Sequence, residues 1–139
     1  MEKIKIGILT CSNTTRILDC PLSPCLKDMY ERKGLFEKYA GKDIELTGIS
    51  SCNGCPTIKG EETILPKIES LLHYGATHIH LSYCLTTICP FKNKYIAAIR
   101  KNFKGINLIA GTHEPHQTDE QFRCDVMNML KKRRKTIIP

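Results

Sequence analysis

Two cysteines separated by two residues, in the stretch Ser51-Cys52-Asn53-Gly54-Cys55-Pro56, are the residues of this chain best arranged to do chemistry. A tight turn of that spacing aims both sulfurs at one point, which suits a single metal ion; the same spacing also serves a dithiol/disulfide centre. Asn53 and Gly54 tolerate the left-handed backbone such a turn requires. Three further groups able to ligate metal or carry a proton share the setting, because Cys11, Cys84 and His113 each follow a strand-like run.

Bringing these groups together takes strands that end side by side. Lys3-Ile4-Lys5-Ile6-Gly7-Ile8-Leu9-Thr10 alternates at its start and then turns continuously apolar, as a buried parallel strand does, and Cys11 follows directly. Residues 12–22 read as a polar loop holding Cys20 and Pro21. Ser23-Pro24 opens a helix with Ser23 as N-cap, which puts Cys25 in a first turn where the helix dipole favours thiolate. Leu26, Met29 and Tyr30 form its apolar face, Gly34 ends it, and Leu35, Phe36 and Tyr39 suggest another short turn.

Residues 43–50 form the second strand and lead into Cys52. Ile64, Leu65, Ile68, Leu71 and Leu72 fall at helical spacing before Gly75, in a helix that must begin near Thr63 because Pro66 is tolerated only in a first turn. Thr77-His78-Ile79-His80-Leu81-Ser82-Tyr83 reads as a third strand ending at Cys84. Cys89-Pro90 repeats the pattern of a thiol at a helix start, with Tyr95, Ile96, Ile99 and Phe103 as the core stripe. Residues 106–110 are the fourth strand, running into Gly111-Thr112-His113. A final helix starts at Thr118, where Gln121 completes a capping box and Phe122, Val126, Met129 and Leu130 face inward.

Fourfold strand-helix alternation predicts an α/β fold: a single-domain three-layer sandwich over residues 1–139 with a four-stranded, mainly parallel sheet, for which the flavodoxin-like order 2-1-3-4 is taken among several doubly wound orders that the alternation allows. Ligands of such sheets bind beyond the carboxyl ends of the strands. Cys11, Cys20, Cys25, Cys52, Cys55, Cys84 and Cys89 all fall between a strand end and the next helix's first turn, hence on one edge of the sheet. Cys124 is the exception, in mid-helix. His78 and His80 share one face of the third strand, where hydrogen-bonded core histidines are commoner than ligands; His73 and His116 read as surface residues.

The totals narrow the function class. At 139 residues with 41% hydrophobic and 25% charged side chains, the chain can bury a core without disulfide staples. Neither a bilayer-spanning run nor a signal-peptide core is visible, so the expectation is a cytoplasmic protein without a membrane partner. Eight cysteines in a reducing compartment favour metal or redox chemistry over permanent disulfides. Much of the net charge of +7 lies in Lys131-Lys132-Arg133-Arg134-Lys135, at the start of a basic tail over residues 131–139. Aromatic residues, at 6%, do not interleave with that run, which argues against a nucleic-acid platform and leaves an acidic protein partner as the alternative to a solvated helix end.

On these residues the chain resembles the CGGC-domain family of small cysteine-rich proteins, regarded as metal-binding and in particular zinc-binding domains. The resemblance rests on the strand ending in Cys11, the segment from Cys20 to Cys25, residues 34–39, the centre at residues 48–56, residues 79–84, Cys89-Pro90 and Gly111-Thr112-His113. The family's central motif stands here as Cys52-Asn53-Gly54-Cys55, with asparagine in place of the first glycine. What the resemblance implies is a metal site rather than a particular reaction. Zinc takes four ligands, for instance Cys52 and Cys55 with Cys84 and either Cys11 or His113. The surplus at Cys20, Cys25 and Cys89 permits a second site or an iron-sulfur cluster, which also takes thiolates.

Three rival functions follow from other features. Cys52 and Cys55 can cycle as a redox pair, with Cys84 or Cys11 as resolving thiol. Cys11-Ser12-Asn13-Thr14-Thr15-Arg16 is similar to the phosphate loop of low-molecular-weight tyrosine phosphatases, but it keeps four residues rather than five between cysteine and arginine and lacks the loop glycine. A noncatalytic, metal-stabilised module that docks through its basic tail is the third.

Overall fold

The computed structural model describes residues 3–17, 19–54, 60–113 and 118–137, with side chains at all of these except 17 and 129–137. In chain order the elements are β1 (Ile4–Thr10), a π-helical turn (Asn13–Ile17), α1 (Ser23–Glu31), a 3-10 helix (Gly34–Tyr39), β2 (Ile44–Ser51), α2 (Gly60–Thr63), α3 (Leu65–His73), β3 (His78–Leu81), α4 (Tyr83–Ile88), α5 (Lys92–Asn102), β4 (Asn107–Ala110) and α6 (Asp119–Ile137). The strands form one sheet in the order β2-β1-β3-β4, every neighbouring pair parallel, as the alternation predicts. No helix among the described residues is long and apolar enough to cross a membrane.

The period of two in β1 divides the molecule into two cores. Ile6 and Ile8 face one side, where they meet Met29 of α1 with Phe36 and Tyr39 of the 3-10 helix. Leu9 faces the other, where Ile64, Ile68 and Leu71 join Ile79, Leu81, Tyr95 and Ile99. Each fully buried aliphatic side chain contributes about 1.5–3 kcal/mol relative to exposure, so the stripes read from the sequence are what fasten α3 and α5 to the sheet. At Gly48 the packing of α3 is close: a Cβ there would stand 2.9 Å from Leu71 Cδ2, so the leucine side chain would have to shift.

His80 and Tyr39 form a polar pair inside the first core. The Gly111 carbonyl can only accept, so His80 Nδ1 carries the proton and donates to it at 2.9 Å, while Nε2 accepts from the Tyr39 hydroxyl at 2.8 Å. His80 is fully buried and stacks on Phe36 at 4.5 Å between ring centroids. Burial pushes its pKa down to about 4, against partial support from the Gly111 bond, and Lys38 and His78 add to the depression. Arg32 closes the far end of this layer. In a left-handed conformation at the end of α1 (φ 57°), it donates to the carbonyls of Met29, Tyr30, Tyr39 and Lys42.

Several local expectations are corrected. The N-cap of α1 is Leu22, left-handed at φ 66° and making no side-chain cap bond, with Ser23 already inside the helix. Arg32 rather than Gly34 stops that helix, and Gly34 begins the 3-10 helix. The third strand ends at Leu81, because the Ser82 hydroxyl accepts from Leu85 N and starts α4, so Cys84 lies in a first helical turn. Cys89 does not open a helix: it is the C-cap of α4, and α5 starts only at Lys92, beyond Pro90. Thr118 caps α6 as expected, its hydroxyl accepting from Gln121 N at 3.1 Å. The inward placement of Met129 and Leu130 and the surface placement of His116 lie outside the described residues.

The buried neutral imidazole gives a pH signature. A histidine held at about 4 in the folded chain but near its ordinary 6.5 when unfolded stabilises the fold fully above about pH 6.5 and progressively less as pH falls toward 4. The wild type should therefore lose on the order of 3 kcal/mol across that window relative to His80→Gln, by denaturant unfolding at each pH. Parallel profiles for the two proteins would show that His80 does not titrate in this way.

Candidate functional site

Parallel pairing of β1 with both β2 and β3 sets Cys11 between Cys52, which follows β2, and Cys84, at the start of α4. The turn after β2 takes its left-handed residue at Gly54, φ 95°, so asparagine at position 53 meets no backbone demand for glycine. After β1 the chain enters the π-helical turn, in which Thr14 and Thr15 N–H groups both return to the Cys11 carbonyl. Ser12 N–H is spent on Cys52 Sγ at 3.3 Å. With those three amides committed, residues 11–16 do not form the anion cradle of a phosphatase loop.

The three thiols couple through Cys11, which interacts with Cys52 on one side and with Cys84 on the other. Cys84 also bonds the Ser82 hydroxyl at 2.9 Å. The contact with Cys11, helped by Ser82 and opposed by burial, brings the Cys84 thiol down to about 7. The Thr14 hydroxyl, buried and with no hydrogen-bond partner among the described residues, lies near enough to favour the same thiolate. For Cys11 the contact with Cys52 favours ionisation, but the contact with Cys84 and its own burial outweigh this and leave its pKa raised. Cys52, raised by its contact with Cys11 and by burial against the Ser12 and Gly54 amides, is pushed furthest up. Cys84 is the thiol of the three most easily ionised.

A cavity of about 310 Å³ adjoins this chain of thiols, lined by Cys84, Cys25, Cys20 and His113 and otherwise by mostly apolar groups including Leu22 and Phe122. Thr112, fully buried, accepts from Tyr83 N at 3.0 Å and shares a hydrogen bond of 3.1 Å with Cys25 Sγ, in which either group can donate. The helix-dipole expectation for Cys25 does not hold. Burial raises its pKa, the Thr112 hydroxyl offsets part of that, and Cys20 and Asp28 raise it further. The His113 ring lies 4.9 Å from that of Tyr83, and both residues also line a second cavity of about 630 Å³.

A family model described as the CGGC domain matches residues 5–113. The chain belongs to the CGGC domain family. Comparison with curated proteins and with solved structures gives no match. In this CGGC domain the matched span takes in every candidate ligand expected from the sequence, and the structure sorts them into groups. Cys11, Cys52 and Cys84 come together; Cys20, Cys25, Cys84 and His113 share the smaller cavity. Cys89 lines neither cavity and is packed in the core with Leu85 and Tyr95. Cys124 is exposed. Cys55, the second cysteine of the motif, lies outside the described residues.

No three of His, Cys, Asp or Glu among the described residues stand where one metal ion would be held, so the thiols meet in pairs through Cys11. Sequence reasoning missed Ser82, Thr112 and Tyr83. Ser82 was findable, since a serine three residues before Leu85 in an apolar run is a helix-cap signal. Thr112 carried none, because its role depends on β4 delivering it beside α1 and α4.

Alkylation of Cys84 by iodoacetamide, followed by peptide mass mapping, should rise with pH through a midpoint near 7, well below those of Cys11 and Cys52. Ser82→Ala should move the midpoint upward by removing a donor to the thiolate, and should also cost about 1 kcal/mol of stability through the lost cap. A midpoint that Ser82→Ala leaves in place would contradict the hydroxyl's part in it.

Proposed function

We propose that this CGGC domain binds a metal ion through thiolates: Cys11, Cys52 and Cys84 do not already stand as a three-ligand set, and would draw together around the ion with Cys55 of the motif as a further ligand. The observation that carries the reading is the position of Cys11, at the end of β1 between Cys52 after β2 and Cys84 at the start of α4, and near enough to both for each to shift its pKa. The donors suit a soft or borderline ion, and Cys84 is already half ionised near neutrality. Zinc is the proposed ion. Bound by sulfur alone it would supply folding free energy, by tying strand ends that hydrogen bonds now connect. An iron-sulfur cluster takes the same donors and is the alternative. A thiolate site of this kind requires a reducing compartment, for which the cytoplasm is the proposal.

A dithiol/disulfide role is the second reading, favoured by one observation: a thiol of pKa about 7 in direct contact with a protonated neighbour, Cys11. His113 is a proposed proton carrier or additional ligand at the rim, where its ring meets Tyr83.

Protein purified anaerobically should carry about one zinc per chain by elemental analysis and show no visible absorbance. Cys52→Ser and Cys84→Ser should each lower that stoichiometry, whereas Cys124→Ser, altering an exposed thiol, should not. Full metal content in both site variants removes the reading. Metal-free protein that consumes a thiol-specific reductant favours the dithiol instead, and a brown chromophore the cluster.

A further inference from the structure

Two of the thiols around the smaller cavity have no part in the Cys52-Cys11-Cys84 chain. Cys20 is half-buried at the rim and Cys25 is buried, with 4% of its surface exposed. The backbone that carries them is bent in an unusual way. Among the described non-glycine residues three have positive φ, and two of them, Asp19 at 57° and Leu22 at 66°, lie beside Cys20 and just ahead of Cys25. The third, Arg32, ends a helix and is explained by that. Left-handed leucine is uncommon, aspartate reaches that conformation more readily, and together the two fix a bend in the segment. Its result is that both cysteines face one cavity of about 310 Å³, close enough for charge on Cys20 to act on the Cys25 thiol.

We propose that Cys20 and Cys25 form a second site, a two-coordinate one for Cu(I), in the cavity beside α1. The donor count favours this ion. Zinc wants four donors, whereas Cu(I), a soft d10 ion, is satisfied by two thiolates in a near-linear arrangement. No third His, Cys, Asp or Glu among the described residues is placed to complete a three-ligand set there, and no carboxylate lines the cavity. Of the remaining wall, Leu22, Pro24 and Phe122 are apolar, and Thr14, Tyr83, Cys84 and His113 complete it. Binding exchanges two thiol protons for one Cu(I), which stays Cu(I), and leaves a single negative charge on the pair. The Thr112 hydroxyl at 3.1 Å from Cys25 Sγ is set to donate to it. Placement at rim and interior gives the ion a route: Cys20 meets it first and Cys25 fixes it. Neither of its two ligands belongs to the zinc reading, although Cys84 of that reading lines the same cavity.

The test is an anaerobic titration of the full-length protein with Cu(I) in competition with a chromophoric Cu(I) chelator. Wild type and Cys52→Ser should bind one equivalent at this site with equal affinity. Cys20→Ser and Cys25→Ser should each weaken it by more than the roughly 10–100-fold that loss of an outer-shell partner costs. Far-UV circular dichroism checks that the variants fold. Should Cys25→Ser fail to fold, alkylation mapping of the wild type decides: Cu(I) should protect Cys20 and Cys25 together. Equal binding by the Cys20→Ser protein, or protection confined to Cys11, Cys52 and Cys84, overturns the proposal. Loss of zinc in Cys52→Ser with Cu(I) binding intact, or the reverse, separates the two sites.

Discussion

The sheet's central strand sets everything at this edge of the molecule. Because β1 is paired in parallel with β2 on one side and β3 on the other, three chain segments reach the same end of the sheet within two strand spacings of each other. A thiol leaving β1 has no choice but to stand between those leaving its neighbours. Antiparallel pairing of either neighbour would carry one of the sulfurs to the opposite end. The aliphatic alternation that fixes β1 in its register, with Ile6 and Ile8 toward one core and Leu9 toward the other, is therefore also what fixes the cysteine cluster.

Once the sulfurs are together, burial and hydrogen-bond direction divide their labour. Desolvation alone would raise all three pKa values. What breaks the equivalence is that the contacts with Cys11 and Ser82 favour the ionised form of Cys84, while the contact with Cys11 disfavours that of Cys52. Negative charge is drawn to the member that lines the cavity, and the protonated members lie behind it. Cys25, across the same cavity, shows the opposite balance: one hydroxyl donor is not enough to offset its burial.

Much of this was legible in the residues. Strand number, parallel pairing and the placing of Cys11, Cys52 and Cys84 at one edge follow from hydrophobic periodicity and the preference for right-handed crossovers, whereas the order of the strands was one of several the alternation allowed. The misreadings cluster where a short helix interrupts an apolar run. Thr77 to Tyr83 looks like an unbroken strand because Leu81 and Tyr83 are apolar, but the Ser82 cap turns the chain early. That single event moved Cys84 into a helix and, with α4 occupying residues 83–88, left Cys89 at a helix end rather than a beginning. Pro90 misled for the same reason, since proline marks a turn as readily as a first helical residue. At Cys25 the dipole and the burial act in opposite directions, and only the packed structure shows which prevails. The pairing of His80 with Tyr39 depends on tertiary contact between residues 41 apart, for which local pattern has no counterpart.

Arg32 bears on how the two ends of the domain respond to their surroundings. Its guanidinium ties the close of α1, the close of the 3-10 helix and the approach to β2 by four backbone carbonyls. Carbonyl oxygens do not titrate, oxidise or bind thiophilic ions, and arginine keeps its charge at any physiological pH. That corner is a fixed footing, indifferent to acidity and redox poise, whereas the sulfur-bearing rim opposite is sensitive to both. A change at the rim can then be felt as movement against an immobile base rather than as loosening of the whole domain.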